Sequence, residues 1–272
     1  MPADLPILRY PRLLTIAGSD SGGGAGIQAD LKTFSALGCF GMTAITAITA
    51  QNTTGVRAIH AVPVPVLADQ IDAVVEDIGV DAVKIGMLHA PEVVGAVAAA
   101  IDRHRLPNVV LDPVMIATSG AVLIDAAAIA VLVRELFPRA LVITPNLDEA
   151  AHLVGRPLAD ERDMEDAAAR LLAMGARAVL IKGGHLAGPQ VSDLLASASG
   201  ERAWIRGGRI DTPNTHGTGC TLSSAIAAFL AQGQALVDAV QAANRYVRGA
   251  LEAGAGVRAG HGSGPLNHGY AP

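Results

Sequence analysis

Asn214-Thr215-His216-Gly217-Thr218-Gly219-Cys220 brings glycines, hydroxyls and a thiol into one short stretch, and an apolar run from Thr221 to Leu230 follows it. Leu222, Ile226, Phe229 and Leu230 recur at the spacing of one helix face, while Ser223, Ser224, Ala225, Ala227 and Ala228 leave room for close packing. The glycines therefore stand at a helix N-terminus, and Gly233 is placed to end the helix. The first amide N–H groups of a helix have no partner within it, and the aligned peptide dipoles add roughly half a positive charge there. Such a turn can hold an anion, a phosphate above all. Cys220 falls in the first turn, where a thiol pKa is expected to drop from about 8.5 toward neutrality. Taken alone, the motif is explained equally well by an ordinary Gly-rich loop beside a buried cysteine.

Other segments change that balance. Lys84-Ile85-Gly86-Met87-Leu88, Asp112-Pro113-Val114-Met115, Thr144-Pro145-Asn146 and Lys182-Gly183-Gly184-His185 each carry a short apolar strand into polar, Gly or Pro residues. One such end is ordinary; four suggest a single assembled rim. Basic residues are nearly all Arg, so Lys32, Lys84 and Lys182 are candidates for roles that need a compact ammonium, such as a phosphate contact. Gly18-Ser19-Asp20-Ser21-Gly22-Gly23-Gly24-Ala25-Gly26 reads as a loop that lets the backbone approach a small flat ligand. Its spacing matches neither G-x-G-x-x-G nor the P-loop pattern, which argues against a dinucleotide-binding oxidoreductase. Asp30, at the start of the next helix, either faces that ligand or is a solvated carboxylate. Gln51 can both donate to and accept from a heteroaromatic edge, although turn chemistry explains its neighbours Asn52 and Gly55. His216 and His185 are read as packing their loops. His261 and His268 lie in an irregular, mobile-looking tail and receive no role, and Cys39 is read as structural.

The elements that must position these groups alternate. Strands are expected at residues 12–17, 42–49, 56–62, 82–85, 109–111, 141–143 and 178–181. Helices are expected at 27–37, 65–78, 91–104, 125–137, 147–154, 162–174, around 221–230 and at 235–253. Residues 190–209 read as a β-hairpin appended to the sheet edge, with a place over a nucleotide as one reading. This order implies an α/β fold whose mainly parallel sheet is covered on both faces, with ligands at the strands' carboxyl ends. At 272 residues, with no repeat or long linker, residues 1–272 are expected to form one domain. The formal charge of −5 leaves no basic footprint, so nucleic acid is not expected as a partner. No apolar run approaches a membrane span, and MPADLPILRYPR lacks a signal-peptide core. Cys39 and Cys220 have no metal-ligand spacing, and a cytoplasmic location is expected.

The segments AGSDSGGGAGIQADLKTF, TAQNTTGV, KIGML, DPVM, TPNLDEA, IKGGH, NTHGTGC and GSGPLNH, spread from about Leu13 to His268, together resemble the hydroxymethylpyrimidine/phosphomethylpyrimidine kinase family of thiamine biosynthesis, within the ribokinase-like superfamily. The resemblance implies a three-layer α/β/α fold and two successive transfers of the ATP γ-phosphate. The first goes to the alcohol of 4-amino-5-hydroxymethyl-2-methylpyrimidine, the second to its monophosphate. It also implies that Asp30 and Gln51 hold the aminopyrimidine edge, with Met87 and Val114 around the ring and Gly18 behind it. Asp112 and Glu149 match positions that organise Mg²⁺, Asn146, Lys182 and Thr218 lie along the ATP, and Gly217, Thr218, Gly219 and Cys220 form the anion hole. Cys220 stands where sugar kinases of the superfamily carry an aspartate base. The family suggests a homodimer through the edge strands or nearby helices. Pyridoxal kinase of the same superfamily is the nearest alternative. A non-catalytic sensor would have lost the anion hole or Asp112, and neither is lost.

Overall fold

A computed structural model describes residues 9–115, 123–124, 126–186 and 188–270. Among the described residues, nine strands form one sheet in the order β3-β2-β1-β4-β5-β6-β7-β8-β9. They are β1 (Arg12–Asp20), β2 (Phe40–Asn52), β3 (Gly55–Ala61), β4 (Ala82–Ile85), β5 (Val109–Leu111), β6 (Val142–Ile143), β7 (Ala178–Ile181), β8 (Gln190–Ser197) and β9 (Arg202–Gly208). The helices are α1 (Gly26–Ala36), α2 (Val64–Asp77), α3 (Pro91–His104), α4 (Ala126–Leu136), α5 (Leu147–Val154), α6 (Glu161–Ala173), α7 (Thr218–Ala231) and α8 (Leu236–Gly254). The expected helix start at Asp125 lies outside the described residues.

Strands β2, β1, β4, β5, β6 and β7 run parallel, while β3, β8 and β9 add antiparallel edges. Side chains alternate across a strand, and here each face of the sheet feeds its own core. Leu14, Ile16, Val83, Ile85, Leu111 and Ile181 pack with α2 to α6; Leu13, Ala82, Val110, Val142 and Leu180 pack with α1, α7 and α8. The result is three layers, α/β/α. Because the six inner strands are parallel, their carboxyl ends share one edge, which gathers Asp20, Gln51, Asp112 and Lys182 from distant parts of the chain.

Two boundaries differ from the sequence reading. The stretch Gly18-Ser19-Asp20, expected as loop, continues β1 and pairs with β2 as far as Asp20 and Thr49. Gln51 and Asn52, expected in a polar turn, end β2 opposite β3. In both cases main-chain pairing with a neighbouring strand overrides local turn composition.

The tail is irregular in backbone form yet firmly held, contrary to its mobile-looking composition. The His216 N–H donates to the Gly264 carbonyl (3.0 Å), the Tyr246 hydroxyl to the His268 carbonyl (2.7 Å), and the Asn214 amide to the carbonyls of Gly254 (2.7 Å) and Val257 (2.6 Å). His268 is buried, with Nε2 3.0 Å from the Thr221 hydroxyl on α7. Burial, reinforced by the charge on Lys32, lowers its pKa to about 4. An unfolded His titrates near 6.5, so protonation favours the unfolded chain: this stability is complete above about pH 6.5 and falls as pH drops toward 4, by a total on the order of 3 kcal/mol. Urea unfolding from pH 7.5 to 4.5 should show that loss, and His268→Gln should flatten it.

Candidate active site

Asp112 directly follows β5, and Lys182 directly follows β7. The Lys182 ammonium donates to Asp112 Oδ1 at 2.8 Å, and the Thr144 hydroxyl donates to the same oxygen at 3.1 Å. A methyl group added at Gly219 would lie 3.0 Å from Lys182 Nζ and 3.8 Å from Asp112 Oδ2. Ammonium and carboxylate therefore face the first turn of α7. Burial alone would raise the Asp112 pKa, but the charges of Lys182 and Lys84 and the hydrogen bonds from Lys182 and Thr144 outweigh it and hold it low. The Lys182 pKa is raised in turn: burial opposes its charge, and Asp112 and Glu149 prevail.

Asn146 and Glu149 close a capping box at the start of α5. Asn146 Oδ1 accepts from the Glu149 N–H and Glu149 Oε2 accepts from the Asn146 N–H, both at 2.8 Å. Asn146 also bridges to Lys182 in parallel fashion, so the two stand side by side at the rim. Burial pushes the Glu149 carboxyl up to about 7; Lys182 pulls it down and Asp112 pushes it up. The β8–β9 hairpin extends the sheet and braces this corner. Asp193 on β8 accepts from the Gly183 N–H at 2.8 Å and from Asn244 at 3.1 Å.

Gly217 opens α7 at φ 83°, and no side chain caps the helix. A side chain at Gly217 would overlap the Gly24 carbonyl, so the turn rests on the Gly-rich loop. Thr218 is partly committed, with its N–H and hydroxyl both directed to the Thr215 carbonyl at 3.2 and 2.7 Å. Of the four amides expected to form an anion hole, that of Thr218 is therefore partly taken within the turn. Thr218, Gly219 and Cys220 are partly open to solvent.

The Cys220 thiol does not follow expectation. Burial pushes its pKa up to about 11; Lys84 and the Gly26 N–H pull it down, while Asp30 and Asp112 push it further up. The packed protein and two carboxylates outweigh the helix terminus, so the resting group is the thiol.

Gly18 stands against Met87: a methyl group added there would lie 2.7 Å from Met87 Cε, so the methionine tip would have to move aside. Val114 follows Asp112 in the same turn and is half-buried; its N–H donates to the Asp112 carbonyl at 2.8 Å. Gln51 Nε2 lies 3.4 Å from His216 Nε2, and Gln51 Oε1 accepts from Thr49 at 3.3 Å. Residues 51–55 with His216 and Ser263 line a pocket of about 150 Å³. His185 is exposed and paired with Asp148 at 2.8 Å.

Asp30 is not the solvated carboxylate that one reading made it. Its side chain is fully buried: Oδ2 accepts from Thr15 (2.6 Å) and Lys84 (3.0 Å), and Oδ1 accepts from Ser224 (2.6 Å). It meets no water, because α1 turns it into the protein between β1, β4 and α7.

Sequence reasoning missed Asp20. Its carboxylate accepts from the N–H groups of Gly22 (2.8 Å), Gly24 (3.0 Å) and Ala25 (2.9 Å), and lies 3.0 Å from His216 Nε2. Burial opposes the charge, but His216 and these amides hold its pKa below the ordinary carboxylate value. The available signal was an Asp directly before Ser-Gly-Gly-Gly, whose short side chain can bond amides just ahead in the chain.

Parallel strand ends meeting an uncapped helix N-terminus, with a lysine between, give an α/β protein with an edge suited to an anion such as phosphate. The phosphomethylpyrimidine kinase family model matches residues 20–267, and the chain belongs to that family. It is 52% identical over 256 residues to the hydroxymethylpyrimidine/phosphomethylpyrimidine kinase of Rhizobium meliloti, covering 94% of this chain and 96% of that one. It is 51% identical to the thiamine biosynthesis bifunctional protein ThiED of Geobacter sulfurreducens, matching 95% of this chain but spanning only 53% of that protein. The crystal structure of phosphomethylpyrimidine kinase from Clostridium difficile is similar at TM-score 0.78 and 42% identity, over 88% of this chain and 99% of that one. An ADP complex of Bacillus subtilis pyridoxal kinase is similar at TM-score 0.88 and 38% identity, over 96% and 98%. The chain is thus a ribokinase-like kinase, and kinase membership implies ATP as donor.

Asp20→Ala would strand three loop amides and His216. A stability loss of at least about 2 kcal/mol is expected by urea unfolding.

Proposed function

We propose that the chain transfers the ATP γ-phosphate to the hydroxymethyl oxygen of 4-amino-5-hydroxymethyl-2-methylpyrimidine, and a second phosphoryl group to the monophosphate, in thiamine biosynthesis. The observation that carries this reading is the meeting of Lys182 and Asp112 with the uncapped first turn of α7 at Gly219. Phosphoryl transfer passes through a loose transition state, so alignment and charge stabilisation supply most of the catalysis. The amides of Gly217, Gly219 and Cys220 face the transferring group; Lys182, Asn146 and Thr218 lie along the nucleotide phosphates. Gln51, Met87, Val114 and the bare backbone of Gly18 hold the ring.

Asp112 and Glu149 suit Mg²⁺. Mg²⁺ takes one or two carboxylates together with phosphates and waters, and a buried carboxyl pushed up to about 7 beside Asp112 is relieved by a divalent cation. When bound, the ion neutralises charge on the phosphates. Among the described residues, a cluster of three ligating side chains is found only at Asp72, Glu76 and His104, away from these strand ends.

In each transfer the acceptor oxygen bonds to phosphorus as the bond to the ADP oxygen breaks. For the alcohol, Cys220 takes the proton, a role open to it only as thiolate. With a thiol pKa near 11, kcat for the first step should therefore keep rising above pH 8. Cys220→Ala should lower it by about 10²–10⁴-fold and abolish the slope. Lys182→Ala should lower kcat in both steps by about 10²–10³-fold.

The likeness to pyridoxal kinase favours a second ring type as an additional substrate. An ATP-coupled assay with the hydroxymethylpyrimidine, its monophosphate and pyridoxine separates the readings: turnover of the monophosphate is expected, and its absence would sink the two-step proposal. We also read residues 1–272 as one cytoplasmic kinase domain that forms a homodimer. One sheet takes in all nine strands, and no helix among the described residues is long and apolar enough to cross a membrane. Ile48 and Ile59 leave apolar surface on the β2–β3 edge, which supports the dimer; light scattering tests it.

A further inference from the structure

Every residue of α7 from Thr221 to Ala228 is buried, so no wet face indicates which way this helix should turn about its axis. Ala225, Ala227, Ala228, Ser223 and Ser224 offer small, similar surfaces, and apolar packing specifies such a rotation poorly. Hydroxyls distinguish its sides. At 3.6 residues per turn, Thr221, Ser223 and Ser224 point in three directions. Thr221 reaches His268 at 3.0 Å; Ser223 lies 3.5 Å from Asp112 Oδ2 and also donates to the Gly219 carbonyl at 3.0 Å. Ser224 makes the short, charge-assisted bond, 2.6 Å to Asp30 Oδ1.

Asp30 is itself fixed from two strands. Lys84 on β4 pairs with it at 2.9 Å, and Thr15 on β1 donates to it at 2.6 Å; all four side chains are fully buried. A buried ion pair is weak evidence for stability, because desolvation offsets its attraction, but it is highly directional. We infer that Lys84, Asp30 and Thr15 are positioning residues that, through Ser224, fix the rotation of α7 and so aim the Gly217–Cys220 turn at Lys182 and Asp112. What the turn holds rests on the kinase reading; the aiming does not.

Two variants test this. Ser224→Ala keeps the ion pair and removes the link to α7. Cys220 labelling by iodoacetamide at fixed pH, read by peptide mass spectrometry, should change while Cys39 labelling stays the same. The kcat of both transfers should fall together by about tenfold or more, the worth of one hydrogen bond to a charged group, with both KM values unchanged. The double variant Asp30→Asn with Lys84→Met removes both members of the pair and should also lower kcat with KM unchanged, by more than Ser224→Ala because Lys84 also helps hold Asp112 ionised. Wild-type labelling and kcat in folded Ser224→Ala would overturn the inference. So would a double variant with raised pyrimidine KM and unchanged kcat, because Asp30 would then be a ligand contact. A wild-type protein without turnover would instead defeat the functional reading and leave the labelling comparison standing.

Discussion

The site depends on keeping Asp112 ionised where almost no water reaches it. An isolated buried carboxylate would take up a proton, and its neighbours at the strand ends would lose their geometry. Lys182 and Lys84 supply the compensating charge from β7 and β4, on either side of β5. Parallel pairing makes this compensation available, since it sets all three strand ends on one edge. The same balance explains why the Cys220 proton is hard to remove: another negative charge there would exceed what two ammonium groups can offset.

Around that charge cluster, small residues set the spacing. Gly217 lets the α7 turn rest on the Gly24 carbonyl backbone to backbone, Gly24 leaves room for the His216 ring, Gly26 packs on the Gly18 carbonyl, and Gly219 leaves room for the Lys182 ammonium. Asp20 and His216 then join the two loops with one buried contact. The amino-terminal loop and the α7 turn are thus a single packed unit.

Much of this could be read in the residues beforehand. Four of the inner strands, β4, β5, β6 and β7, lie within a residue of their apolar runs, because short β-branched segments between Gly and Pro have few alternatives. The scarcity of Lys was informative: Lys32 holds the Gly23 carbonyl at 2.7 Å, Lys84 pairs with Asp30, and Lys182 with Asp112. What could not be read was direction and solvation. A helix position does not say whether Asp30 turns outward to a ligand or inward to a lysine distant in sequence. A place in the first turn of a helix does not say that two carboxylates will crowd the thiol. Tail composition likewise concealed the contacts that bury His268, which are made by α7 and α8.

Those tail contacts have a consequence for biosynthesis. Gly260 and Gly262 pack closely on Thr53 beyond the end of β2, and His216 takes the Gly264 carbonyl before entering the α7 turn. During translation, the loops around the site cannot reach their final arrangement until residues 260–264 have left the ribosome. The arrangement of the site is therefore completed only once this segment has been made.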